Sequence, residues 1–413
     1  MVRGERLRLT IERPAAGGRM IARHDGAIVF VSGAIPGEVV DAEVEKVQRG
    51  TVWAITRGVL ERSPDRIDGA PDGACGGSVF AHIAYERQRQ LKSAIVEDAL
   101  RRLGRITLDS PIDVDGSPVD GYRMRARLHV RDARIGFFRE GTHSLCDAAA
   151  TRQLRADTID VIRRLEAALA AARRPATSDI EIAENVDATQ RAIHFELLAD
   201  ADPSGLAAMA QVEGVSGASC AHPENSRTIE LFGSTIVVDT IRDVTFSRHV
   251  RSFFQGNRYL LQPFVDYVLS HVTTGPLVDL YAGVGLFSLA AGTAGAGPVI
   301  AVEGDLFAAR DLKRNAKGQI VVVEMPVENF VSRSAAPVAT VIVDPPRTGM
   351  SKEALARAVA IGAPRLIYVS CDVATLARDS RVLLDAGYRI ASARAFDMFP
   401  NTAHVETVIS FSR

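Results

Sequence analysis

The chain has 413 residues, 47% of them hydrophobic and 24% charged, with a formal net charge of −1. This is an ordinary globular balance, and it argues against a protein that coats nucleic acid through bulk positive charge. The absence of an 18-residue apolar run or an apolar leader after Met1 predicts no membrane span and a cytoplasmic location, and four cysteines argue against a disulfide framework.

At roughly 100–200 residues per domain the length suggests two to four domains. Residues 1–62 read as short strands broken by Gly, at 6–13, 20–23, 27–31, 38–47 and 51–59, which predicts a small barrel. The stretch 63–240 is mixed α+β. The spacing of Leu91, Ile95, Ala99 and Leu103 predicts one helix over 86–103, and a second is expected over 158–172. Segment 121–130 alternates like a strand, and 203–217 reads as loop. From 241 to 413, strands and helices alternate, which predicts a parallel sheet covered by helices. Its apolar strands fall at 277–281, 299–302, 340–343 and 366–370, and the runs 388–395 and 404–411 suggest a terminal hairpin.

The strand-like segment 121–130 places Arg123, Arg125, Arg127, His129 and Arg131 on one face. The opposite face, Tyr122, Met124, Ala126, Leu128 and Val130, is apolar. Such a cationic face suits RNA phosphates or bases, although a solvated surface has the same pattern.

Asp279-Leu280-Tyr281-Ala282-Gly283-Val284-Gly285 joins a strand to an apolar helix. The glycines permit a tight turn and close approach of a ligand to backbone. The next strand ends at Glu303, whose carboxylate can accept from both ribose hydroxyls. Position 288 is Ser, so the third Gly of the dinucleotide fingerprint is missing, and S-adenosylmethionine fits better than NAD.

Asp344-Pro345-Pro346-Arg347 ends another strand, where paired prolines stiffen a loop able to hold a carboxylate against a planar base. Cys371 follows strand 366–370, at the sheet end where open α/β folds place ligands. His404 and Glu406 alternate near the C-terminus, and either can serve as a base. These groups suit methylation at uracil C5, in which a thiolate adds to C6, C5 attacks an electrophilic methyl group, and a base removes the C5 proton.

Together, Phe253-Phe254-Gln255-x-Asn257, the 279–285 turn, Asp344-Pro345-Pro346-Arg347-x-Gly349, Ser370-Cys371-Asp372 and His404-Val405-Glu406 resemble the RNA uracil-C5 methyltransferase family, in particular its bacterial 23S rRNA branch. The resemblance extends to the N-terminus, where Gly17-Gly18-Arg19 and 30–38 look like its TRAM domain, an OB-like RNA-binding barrel. It implies a Rossmann-like class I methyltransferase domain at 241–413, a central RNA-recognition domain at 63–240 and the barrel at 1–62. It places cofactor contacts at Gln255, Tyr281, Glu303 and Asp344, the nucleophile at Cys371 and the general base at Glu406. Phe253 is a candidate for stacking on RNA bases.

Family members with an iron–sulfur cluster carry four cysteines, and the corresponding positions here are Gly69, Cys75, Ser78 and Cys146. A [4Fe–4S] cluster ordinarily needs four ligands. No cluster or other metal is therefore expected, and Cys75 and Cys146 are expected to be ordinary thiols. RNA is the expected partner, rRNA before tRNA, with no obligate protein partner. A non-catalytic RNA-binding protein on the same fold is the competing reading.

Overall fold

Strands Arg6–Pro14, Met20–His24, Ala27–Ser32, Val39–Gln48 and Thr51–Glu61 close into a barrel, with the fifth strand between the third and fourth. Alternation drives the closure. Leu7, Leu9 and Ile11 point inward while Arg6, Arg8 and Glu12 face water. The computed structural model describes residues 1–171, 177–199, 201–222, 227–332 and 336–413.

A seven-stranded sheet follows, in the order Ile229–Gly233, Gly217–Ala221, Arg191–Leu197, Thr177–Glu184, Arg125–Arg131, Arg134–Phe138 and Leu145–Asp147. Its apolar face, with Leu128, Val130, Ile180 and Ile182, packs on Ile162, Leu165 and Leu169 of helix Ala156–Ala171. The expected end of that helix, position 172, lies outside the described residues. Within 203–217, expected to be loop, Leu206–Ala210 forms a short helix.

The C-terminal sheet has eight strands, in the order Val321–Glu324, Val299–Glu303, Leu277–Leu280, Thr340–Val343, Arg365–Ser370, Glu406–Ser412, Arg389–Phe396 and Val114–Asp115. The first five run parallel, and Glu406–Ser412 is antiparallel to both neighbours. The parallel strands are apolar on both faces because helices cover both sides. Val278, Val341, Ile342 and Ile367 are fully buried.

The expected helix over 86–103 needs correction. The α-helix spans Tyr85–Ala99, and Leu100–Gly104 is a wider π-type turn ending at Arg105 in the left-handed region. The change in winding turns Leu103 outward, to 53% exposure, instead of onto the buried stripe. Val96, Ala99, Leu100 and Val114 join the core of the large sheet rather than that of the seven-stranded one.

The cysteine expectation also changes. Cys75 and Cys146 are joined as a disulfide, with Cα atoms 5.8 Å apart, and are not free thiols. The isolated bridge between Cys75 and Arg139 and the pairing of Phe137 with Cys146 bring the two segments together. Cys220 and Cys371 are free. Among the described residues, no group of three or more His, Cys, Asp or Glu side chains is arranged to hold a metal, and no helix is long and apolar enough to cross a membrane.

Candidate active site

The carboxyl ends of four parallel strands meet at one edge. Leu280 pairs with Val302 on one side and Val343 on the other, and Val343 pairs with Tyr368. The residues that leave these ends are Tyr281, Glu303, Asp344 and Cys371. The antiparallel strand Glu406–Ser412 closes the group. Ser370 pairs with Thr407, which sets Cys371 and Glu406 at neighbouring positions.

The Tyr281–Gly285 turn is built by backbone demands. Tyr281, Gly283 and Gly285 have φ of 65°, 56° and 98°. A Cβ on Gly285 would lie 2.8 Å from Leu289 and Leu312, whereas one on Gly283 would meet nothing within 4 Å. Gly285 is thus required by helix packing, and Gly283 borders open space.

Glu303 is oriented from both sides. Its carboxylate oxygens accept from Gly283 N–H at 2.7 Å and Asp305 N–H at 2.6 Å. A carboxylate offers about four acceptor positions, so capacity remains for ribose hydroxyls. Burial pushes Glu303 up, and the two amides oppose this. Asp279 lies fully buried beneath the turn, pushed up to about 8 by burial and by the charges of Asp344 and Glu303.

The candidate groups Asp344, Glu406 and Cys371 act on one another electrostatically. Asp344 is pushed up to about 7 by burial and then by Glu303. Glu406, 3% exposed, is driven well above the ordinary carboxylate range by burial and then by Asp344, with Arg347 opposing. Cys371 is pushed up to about 12 by burial, Glu406 and Asp344, while the positive charge of Arg347 draws it down. Arg347 is the counter-charge common to the thiol and Glu406. Sequence reasoning assigned it no role, although it stands in the quoted Asp344–Arg347 motif.

Loop 344–350 has its own anchor. The buried carboxylate of Asp379 accepts from Met350 N–H at 3.0 Å, Tyr368 Oη at 2.6 Å and Arg378 Nε at 2.7 Å. Asp372 caps helix Val373–Asp385 by accepting from Ala374 and Thr375 N–H, which fixes the residue after Cys371.

His404, the alternative base, is pulled down to about 4, first by its weakly polar surroundings and then by Arg347, Lys92 and Arg123. A group that loses its proton so readily is a weak base at neutral pH, whereas an elevated Glu406 is a stronger one.

Gln255 is buried, and Gly256 backs onto the ring of Phe399. Phe253 projects at 61% exposure beside Arg125, whose guanidinium lies 5.9 Å from the ring centre. Arg123 lies outside the strand Arg125–Arg131 and bridges to Asn257. It is pinned by Gln153 Oε1 at 2.6 Å and lies 5.2 Å and 6.0 Å from the ring centres of Phe137 and Phe399.

The expected alternation is present, but the cationic face is not free. Arg125 pairs with Glu181 at 3.1 Å, Arg127 with Glu196 at 2.6 Å and His129 with Asp179 at 2.5 Å. The neighbouring strands supply these acids, which the sequence of one strand does not reveal.

Comparison with known proteins matches this architecture. A family model described as tRNA (Uracil-5-)-methyltransferase matches residues 234–413, and a TRAM domain model matches residues 2–55. The chain is 31% identical to a 23S rRNA (uracil(1939)-C(5))-methyltransferase RlmD of Halomonas elongata, over 98% of this chain and 89% of that protein. It is 29% identical to an RlmD of Pectobacterium atrosepticum, over 95% and 91% of the two chains. The fold is that of the Pyrococcus abyssi tRNA (uracil-54, C5)-methyltransferase solved with S-adenosyl-L-homocysteine, at 22% identity and a TM-score of 0.78, covering 98% of this chain and 99% of that one. The Rossmann-like domain, the TRAM barrel and the full-length relatives agree, and the chain belongs to the S-adenosylmethionine-dependent RNA (uracil-C5)-methyltransferase family.

Proposed function

We propose that this enzyme methylates C5 of a uridine in 23S rRNA through a covalent bond between Cys371 Sγ and uracil C6. The observation that carries the mechanism is the adjacency of Cys371 and Glu406, set by the pairing of Ser370 with Thr407. A nucleophile and a base on neighbouring strands can reach adjacent ring carbons.

The thiolate of Cys371 adds to C6, and the C5–C6 π electrons move onto C5 and O4 as an enolate. Arg347 stabilises the thiolate before addition. C5 then forms a bond to the electrophilic methyl carbon that bound S-adenosylmethionine would supply, and the S–CH3 bond breaks with its electron pair left on the sulfur of the departing S-adenosyl-L-homocysteine. Glu406 then accepts the C5 proton, the double bond re-forms, and the C6–S bond breaks to return the thiolate. Glu303 and the Gly283 turn would hold the adenosine end of the donor, and Tyr281, Gln255 and Asp344 would complete its site.

The uridine must leave its stack or lie in a loop, because C6 and C5 have to meet groups that a paired helix would exclude. The names of the Halomonas and Pectobacterium relatives favour 23S rRNA, and tRNA is the second reading because of the family model's description. Incubating 23S rRNA and bulk tRNA separately with enzyme and methyl donor, then mapping 5-methyluridine, tests the choice. Methyl transfer to one site in 23S rRNA is expected, and transfer to tRNA alone would overturn it.

A further inference from the structure

The last two strands of the large sheet pair Phe396 with Glu406, so 397–405 leaves the sheet and returns at the proposed base. Buried polar side chains from distant parts of the chain grip this excursion. Lys92 Nζ donates to Asp397 and to Phe399 O, the latter at 3.0 Å. One helical turn earlier, Gln88 makes a two-way amide contact with Asn401. Its Nε2 donates to Asn401 Oδ1 at 3.0 Å, and its Oε1 accepts from Asn401 N–H at 2.9 Å. From the other side, Asn257 Nδ2 donates to Met398 O at 3.2 Å.

These groups sit where apolar residues would be expected. Gln88 and Lys92 interrupt the buried stripe of Leu91, Ile95, Val96 and Ala99 on helix Tyr85–Ala99. Lys92 and Asp397 are both 0% exposed. Withdrawing two charges from water is costly, and an apolar pair of the same shape is often at least as stable. The pair therefore makes better sense as a device that selects one geometry. The geometry it selects places Phe399, which backs Gly256 beside Gln255, and leads directly into Glu406.

We propose that Lys92, seconded by Gln88, is a positioning residue for the proton removal that follows methyl transfer, fixing 397–405 so that Glu406 meets the C5 proton of the target uridine. This rests on the roles given above to Cys371 and Glu406. Asp397 is the anchor for Lys92, and neither touches the reacting atoms. The sequence signal is the polar pair at i and i+4 inside an apolar helix face.

The test uses full-length enzyme. Lys92→Met alone leaves Asp397 buried and uncompensated, so the informative variant is Lys92→Met with Asp397→Asn, which removes both charges and keeps both shapes. It should melt near wild type and bind S-adenosylmethionine with unchanged Kd. Its kcat should fall about 100-fold, the loss typical of a catalytic group displaced by about 1 Å. A denaturant-resistant protein–RNA adduct should accumulate, because proton removal is the step slowed. Gln88→Met, which leaves no buried charge behind, should show the same pattern more weakly.

Wild-type kcat in the folded double variant would overturn the proposal, as would a loss of kcat without adduct while Glu406→Gln does form adduct. Glu406→Gln measured alongside separates the two ideas. No adduct there means that the base assignment fails. Adduct there with normal turnover in the double variant means that only the clamp fails.

Discussion

The Glu406 carboxylate acts on the Cys371 thiol across two antiparallel strands, and its charge is one of the causes that hold the thiol at about 12. The proposed base and nucleophile therefore oppose each other before substrate arrives, since a charged Glu406 disfavours the thiolate. The positive charge of Arg347 offsets part of this. An arriving uracil would separate the two groups and make use of both.

This balance is measurable through thiol alkylation. Cys220 is buried and Cys75 is bonded to Cys146, so Cys371 is the accessible thiol in the native protein. A raised pKa means that thiolate appears late as pH rises. Iodoacetamide reactivity should still be climbing above pH 9, beyond the roughly 8.5 of an ordinary cysteine. Removing a negative neighbour with Glu406→Gln should move the curve to lower pH, and removing a positive one with Arg347→Met should move it higher. Identical curves for the three proteins would contradict the cluster as described.

The two turn glycines should fail differently. Gly285→Ala forces a Cβ to within 2.8 Å of Leu289 and Leu312 at a φ of 98°, and should cost about 1–3 kcal/mol of stability. Gly283→Ala meets no protein atom within 4 Å, so cofactor affinity should suffer more than stability. Thermal melts with calorimetric titration of S-adenosylmethionine check both, and an unaltered Kd for Gly283→Ala would place the cofactor elsewhere.

Ion pairs already occupy much of the Arg125–Arg131 face. Replacing Arg125 and Arg127 together by Gln should lower the slope of log affinity against log salt by at most about 2, since each phosphate that a side chain neutralises adds about 0.9. Arg123 is best left out of that variant, because it is packed against Phe399 and Gln153. Fluorescence anisotropy with an RNA fragment across a salt series provides the reading. An unchanged slope would direct the search for the RNA path to the barrel and to Phe253.

Much of the site was legible because parallel strands announce themselves. The apolar runs before Tyr281, Glu303, Asp344 and Cys371 mark four strand ends, and the sheet brings such ends together by construction. The barrel was legible from short strands broken by Gly. What escaped was pairing between distant segments. The acids opposite Arg125, Arg127 and His129 come from strands Thr177–Glu184 and Arg191–Leu197, which sequence reading did not identify. The Cys75–Cys146 bond and the Lys92–Asp397 pair are likewise long-range facts, and the winding change at Leu100 breaks a periodicity that otherwise ran on to Leu103.

The covalent step through Cys371 is the central claim, and RNA carrying 5-fluorouridine at the target position tests it most directly. Fluorine at C5 cannot be removed as a proton is, so the C6–S bond cannot be broken by elimination. With methyl donor present, the wild-type enzyme should form a complex that survives denaturant, and mass spectrometry of its digest should place the nucleotide on Cys371. Cys371→Ala should form no complex and no 5-methyluridine on ordinary RNA, while retaining cofactor binding. Methylation by Cys371→Ala within about tenfold of wild type would contradict the mechanism.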